Sequence, residues 1–274
     1  MEGLREHGYI AGQNLLIECR WTEGRSERGA ALTWELVSLK PDLIVAHGNS
    51  NALTAKQATR TIPIGMAGVV DPEGWLVGTL AHPGGNVTGL TGTVGGEIYG
   101  KQLQLLKEAV PNFSRVAVLS YLSSAAFMGE RGAAARALGL TLQPYVVQAP
   151  EELASAFVAM TKAGAEALLG ESQPFFSVHR QRIADLAAQS RLPGMYPYRD
   201  LVEAGGLMSY AADAPAIYRR LAFYVDRIFR GAKPGDLPME QPTKYDLIIN
   251  LKTAKALGLT IPQSLLMRAD EVIE

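Results

Sequence analysis

Side chains able to hold a small molecule recur just past the short apolar runs of this chain. Asn49 and Ser50 follow Leu43–Ala46, beside Gly48, which permits close backbone approach. Each can donate or accept a hydrogen bond, and each is equally suited to capping a helix. Asp71 follows Ile62–Ala67 and can accept from a ligand amine or cap the next helix. Ser123 and Ser124 follow Val116–Leu119. Their hydroxyls and backbone N–H groups suit a carboxylate, and equally suit a cap. Gln173 follows Ala165–Leu169. Tyr196 and Tyr210 each end a short apolar run, where a ring can stack on a flat ligand or form the edge of a core. Asp213 is the best placed carboxylate for pairing with an ammonium group in a site that excludes water.

The same survey finds no catalytic set. His7, His47, His82 and His179 show neither HExxH spacing nor a compact metal cluster, so no metal is expected. There is no G-x-S-x-G elbow. Gly84-Gly85 and Gly205-Gly206 lack the G-x-G-x-x-G spacing of a dinucleotide site, so no cofactor is expected either. Cys19 is the only cysteine, which excludes an internal disulfide and a two-thiol racemase pair.

Positioning such residues requires an alternation of β-rich and helical runs, which predicts a parallel sheet covered on both faces. Strands are predicted at Leu15–Trp21, Leu43–Ala46, Ile62–Ala67 and Val87–Leu90, with helices over Ser26–Leu39 and from about Ser50 to Arg60. A helix over Glu97–Ala109 leads to a second series. Its strands are Val116–Leu119, Thr141–Val147, Ala165–Leu169, Gly194–Tyr196 and Leu207–Tyr210. Its helices are Ala125–Leu138, Glu151–Lys162 and Phe175–Ser190. A long helix Ala214–Phe229, a strand Tyr245–Ile249 and a helix Leu251–Leu257 complete the chain. In open parallel sheets ligands sit beyond the carboxyl ends of the strands, where the polar residues above fall.

With 274 residues, 47% of them apolar and 19% charged, the chain can bury one or two globular cores. A formal net charge of -1 gives no basic surface for nucleic acid. No apolar run reaches membrane-spanning length, and MEGLREHGY lacks the apolar core of a signal peptide.

The closing stretch EQPTKYDLIINLKTAKALGLTIPQSLLMRADEVIE and the early stretch EGLREHGYIAGQNLLIECRWTEGR resemble the ABC-transporter substrate-binding family that includes tryptophan- and tyrosine-type binding proteins. LKPDLIVAHGNSNALTAKQATRTIPI, DPEGWLVGTLAHPGGNVTGLT and RQRIADLAAQSRLPGMYPYRDLVEAGGLMSY extend the resemblance nearly end to end. It departs at Ser120–Ser124, where relatives often read WNPANP, and at Gln173, where relatives tend to carry an aspartate.

The resemblance implies a two-lobed α/β fold of the periplasmic-binding-protein-like type I. One lobe would comprise residues 1–91 with 212–238, the other 92–211 with 239–274. It also implies a small carboxylate-bearing ligand, an aromatic amino acid foremost, held between the lobes without catalysis. The partner would be a membrane permease. The site would lie in the periplasm or on a lipid anchor outside the inner membrane, although this chain carries no signal peptide. A cytoplasmic ligand-sensing domain and a two-lobed isomerase or racemase are the alternatives. Relatives place a strand ahead of the segment matching GLREHGY. Its absence would leave Leu15–Trp21 and Leu43–Ala46 flanking a gap, to be closed by direct pairing, by upstream residues or by another chain in a dimer.

Overall fold

The computed structural model describes residues 1–274 except 24, 94–96 and 122–124. In chain order the first elements are α1 (Glu2–Glu6), α2 (Gly29–Ser38), β1 (Ile44–His47), α3 (Gly48–Ala58), β2 (Ile64–Val70) and β3 (Val87–Thr93). Then come α4 (Glu97–Ala109), β4 (Arg115–Tyr121), α5 (Ala125–Ala137), β5 (Thr141–Val147), α6 (Glu152–Lys162) and β6 (Ala167–Gly170). They are followed by α7 (Pro174–Val178), α8 (Arg180–Gln189), β7 (Gly194–Tyr196), α9 (Arg199–Glu203) and β8 (Met208–Ala212). The chain closes with α10 (Ala214–Phe229), β9 (Tyr245–Asn250), α11 (Leu251–Leu257), α12 (Gln263–Leu266) and β10 (Glu271–Ile273). Two compact units result: Met1–Val94 with Ala212–Lys244, and Gly95–Ala211 with Tyr245–Glu274.

Among the described residues, the first unit holds a parallel sheet ordered β1-β2-β3. Ile44, Ile64 and Met66 point to one core with Leu76 and Val87. Ala67 and Leu90 point to another, filled by Ile217, Leu221 and Tyr224 of α10. Asp213 starts α10 by accepting from the Ala216 N–H at 3.1 Å. At the other end of the helix, Tyr9 donates to Asp226 and tethers the first residues of the chain.

The predicted strand at Leu15–Trp21 does not form. Gly12 closes a tight turn onto Leu15, and residues 16–21 carry no regular secondary structure. Leu16 and Trp21 are 84% and 74% exposed. Alternation of apolar residues makes a strand only where a neighbour supplies a ladder, and among the described residues β1 is paired with β2 alone. Arg20 instead fastens the segment to Glu35 of α2. The expected capping of α3 by Asn49 or Ser50 is also overturned, since His47 occupies the cap position and no side chain closes it. The single helix expected over Phe175–Ser190 breaks at His179 into α7 and α8.

The second unit holds a sheet ordered β10-β9-β8-β7-β6-β4-β5. Strands β4 to β8 run parallel. Alternation along β4 and β6 divides the core. Val116, Val118, Ala167 and Leu169 pack with Leu103 and Leu106 of α4, while Ala117, Leu119 and Leu168 pack with Phe157 of α6 and Phe176 of α7. The Asn250 N–H, at the end of β9, donates to the Leu207 carbonyl just before β8. Tyr245, at the start of β9, stacks on Tyr210 farther along β8. Strand β9 therefore runs opposite to β8, and Tyr245 reaches the carboxyl edge of the parallel strands.

Candidate functional site

In the second unit β4 stands between β5 and β6. The chain leaves β4 toward β5 on one side and returns to β6 on the other. That reversal makes a topological switch point, where the connections diverge and open a crevice beyond the strand ends. Ser120 and Tyr121 end β4 there, and Glu171 directly follows β6. Arg131, from α5, brings Nη1 to 2.6 Å from the Glu171 Oε1 atom. Arg131 is 2% exposed and Glu171 1%.

The guanidinium carbon of Arg131 sits 3.8 Å from the ring centroid of Tyr99, in the first turn of α4. Burial raises the Glu171 carboxyl above its ordinary pKa, while Arg131 and the nearby Ser120 hydroxyl work against that rise. The Glu171 Oε2 atom is buried and has no hydrogen-bond partner.

Aromatic side chains continue outward from this pair. Tyr210 and Tyr245 stack with centroids 5.6 Å apart. Burial raises the Tyr245 phenol, and nearby Tyr210 and Tyr99 add to the effect. Gln102 of α4 donates to the Tyr210 carbonyl and fixes the backbone that carries that ring. On the far side, Tyr121 stacks on Phe175 at 4.2 Å, and the Ser172 and Tyr198 hydroxyls share a 2.9 Å hydrogen bond. The carboxyl edge thus offers a buried cation, a buried carboxylate and several tyrosine rings. These suit a small polar aromatic molecule, because rings bury much apolar area and still hydrogen-bond at their tips.

Of the residues singled out from the sequence, Gln173 and Tyr210 lie at this edge, both half-buried. Gln173 stands at the start of α7 without capping it. Tyr196 is different. Its ring is 2% exposed and packs so tightly over residues 194 and 206 that a Cβ at either glycine would lie within 2.6 Å of it. Burial pushes its phenol up, and its hydroxyl lacks a partner. This ring is part of the core. Ser123 and Ser124 lie outside the described residues.

In the first unit, the Asn49 side-chain amide is fully engaged with the end of β2. It accepts from the Val70 N–H at 2.7 Å and donates to the Val70 carbonyl at 3.1 Å. Ser50 is an exposed residue of α3 whose carbonyl accepts from Thr54. Asp71 is exposed at the end of β2 with φ of 43°, and its carbonyl accepts from the Trp75 indole.

Asp213 spends one carboxylate oxygen on its helix cap. Asp213→Ala should therefore cost about 0.5–2 kcal/mol in urea denaturation even without ligand.

His47, at the end of β1, stacks on Tyr218 and lies against Gly68. Its Nδ1 atom is buried without a partner, and burial lowers its pKa. A histidine with a lowered folded-state pKa binds its proton better when unfolded. The stability it permits is complete above about pH 6.5 and declines as pH falls below that value. His47→Gln should flatten this part of the stability–pH curve measured by denaturation.

Tyr99, Arg131, Glu171, Tyr198 and Tyr245 escaped selection from the sequence. Glu171 carried a signal, because it directly follows a buried strand. Arg131 carried a weaker one, standing with Glu130 between Gly129 and Gly132.

Among the described residues no helix is long and apolar enough to cross a membrane. The chain is similar to a tyrosine-binding protein of Clostridioides difficile (strain R20291), 24% identical over 270 residues, which span 94% of this chain and 75% of that protein. It is also similar to the ABC domain crystallised in complex with L-Trp from Streptococcus pneumoniae. That structure shares 30% identity and a TM-score of 0.92, with 99% of this chain and 92% of the other covered. A conserved domain protein from Vibrio cholerae O1 biovar El Tor str. N16961 gives 28% identity and a TM-score of 0.92, over 99% of this chain and 92% of that one. The family model for ABC transporter substrate binding proteins matches residues 1–273, and the chain belongs to that family.

Proposed function

We propose that this substrate-binding protein takes an aromatic amino acid, or a similar small aromatic carboxylate, at the carboxyl edge of its second unit. The observation that carries the reading is the switch point beside β4, with Tyr99, Tyr210 and Tyr245 gathered near the buried Arg131 and Glu171. The L-Trp complex of the streptococcal relative and the clostridial tyrosine-binding protein support the same ligand class.

The work is binding, with no bond made or broken. Ligand affinity favours one arrangement of the protein over another, which is what a transport partner can read. That partner is a permease in the membrane, and the protein acts outside the inner membrane, free in the periplasm or held by a lipid anchor. Gln173 contributes an amide to the same edge, and Asp71 remains a contact candidate in the first unit.

Isothermal calorimetry against the common amino acids and small aromatic acids tests the reading. L-tryptophan or L-tyrosine should bind with 1:1 stoichiometry and a negative heat-capacity change from buried ring area. Binding confined to non-aromatic solutes would refute the ligand class.

A further inference from the structure

We propose that Arg131, paired with Glu171 in this structure, takes the carboxylate of an α-amino acid and Glu171 takes its ammonium group. This rests on the ligand class proposed above. Arg and Glu are almost never fully buried unless paired, and these two are 2% and 1% exposed. Stability does not account for keeping them, because an apolar filling of the same volume is usually at least as stable as a buried pair. Their place at the switch point does, since ligands enter open α/β sheets there.

The two groups are prepared for this in different ways. Tyr99 covers one face of the guanidinium and fixes its plane. A guanidinium presents its donors as a fork that matches a carboxylate. Glu171 uses one oxygen on Arg131, while its other buried oxygen lacks a partner. An ammonium group offers three donors to such an oxygen. Charge balance then selects the ligand. Arg131 and Glu171 carry opposite charges, and a zwitterion leaves their sum unchanged. An acid without the amine, or an amine without the acid, leaves a net charge out of water.

The test uses calorimetry on the whole protein with L-tryptophan, tryptamine and indole-3-propionate. Wild-type protein should bind both analogues about 100-fold more weakly than L-tryptophan. Glu171→Gln should weaken L-tryptophan about 100-fold and strengthen indole-3-propionate, whose single charge then balances Arg131. Arg131→Lys should weaken the two carboxylates and spare tryptamine. A purely structural role would instead lower affinity for all three ligands together. An analogue within tenfold of L-tryptophan on wild-type protein, or equal losses across ligands in the variants, would overturn the assignment. If Glu171→Gln does not fold, the wild-type series and Arg131→Lys decide. If L-tryptophan binds but the analogues are not discriminated, only this inference falls. If none of the three binds, the ligand class falls with it.

Discussion

Arg131→Met is expected to destabilise the second unit by roughly 3–5 kcal/mol, because it strands the Glu171 carboxylate in a buried site. Adding Glu171→Leu should restore most of that loss, since the paired replacement leaves no uncompensated charge. A double-mutant cycle in urea would then show strong coupling between positions 131 and 171. The single variant carries a further signature in pH. Without the guanidinium, Glu171 is protonated more readily in the folded than in the unfolded chain. Its deficit should therefore grow as pH rises above about 4.3, the ordinary glutamate value. A deficit independent of pH, or additive losses in the cycle, would contradict the picture of a tightly coupled pair. Loss of the ring contact with Tyr99 adds a smaller term, about 0.5–2 kcal/mol.

Gly89→Ala should be comparably damaging in the first unit, at about 3–5 kcal/mol. Gly89 lies in β3 with φ of 135°, where an added Cβ would stand 2.1 Å from the Met66 carbonyl oxygen and 2.7 Å from its nitrogen. Both atoms belong to the backbone of β2, so no side-chain rotation relieves the clash. The residue sits where the β2–β3 register shifts, and the close approach of the strands depends on it. Gly258→Ala supplies the contrast. That glycine has φ of 75° with open space around it, so the expected cost is about 1 kcal/mol from backbone strain alone. Equal melting-temperature shifts in the two variants would show that close packing at residue 89 does not matter.

The elements most legible in the sequence are those whose signals are local. The helices expected over Glu97–Ala109 and Ala214–Phe229 have the boundaries of α4 and α10. The left-handed Gly258 likewise marks the end of α11. Leu15–Trp21 failed for the opposite reason. Its alternation is local, but a strand needs a partner elsewhere in the chain, and among the described residues none lies beside it. The terminal strand β10 was not expected from the sequence.

For the proposed site, the sequence pointed to a place in the fold more than to a chemistry. Gln173, which follows an apolar run, and Tyr210, which ends one in the sequence, both lie at the carboxyl edge of the second unit. The charged pair did not, because Arg131 and Glu171 are forty residues apart, and charge in a helix ordinarily signals a solvated face. Only the fold shows that α5 turns Arg131 inward. Tyrosine rings pose the same difficulty, since Tyr196 and Tyr210 both end short apolar runs in the sequence yet one is core and the other half-buried.

A crystal structure of the protein grown with L-tryptophan tests the central claim most directly. The indole should lie at the carboxyl edge of the second unit, with its centroid about 4.5–7 Å from at least one of the Tyr99, Tyr210 and Tyr245 rings. Saturable binding with the indole elsewhere, or no occupancy at concentrations well above a calorimetric Kd, would contradict it.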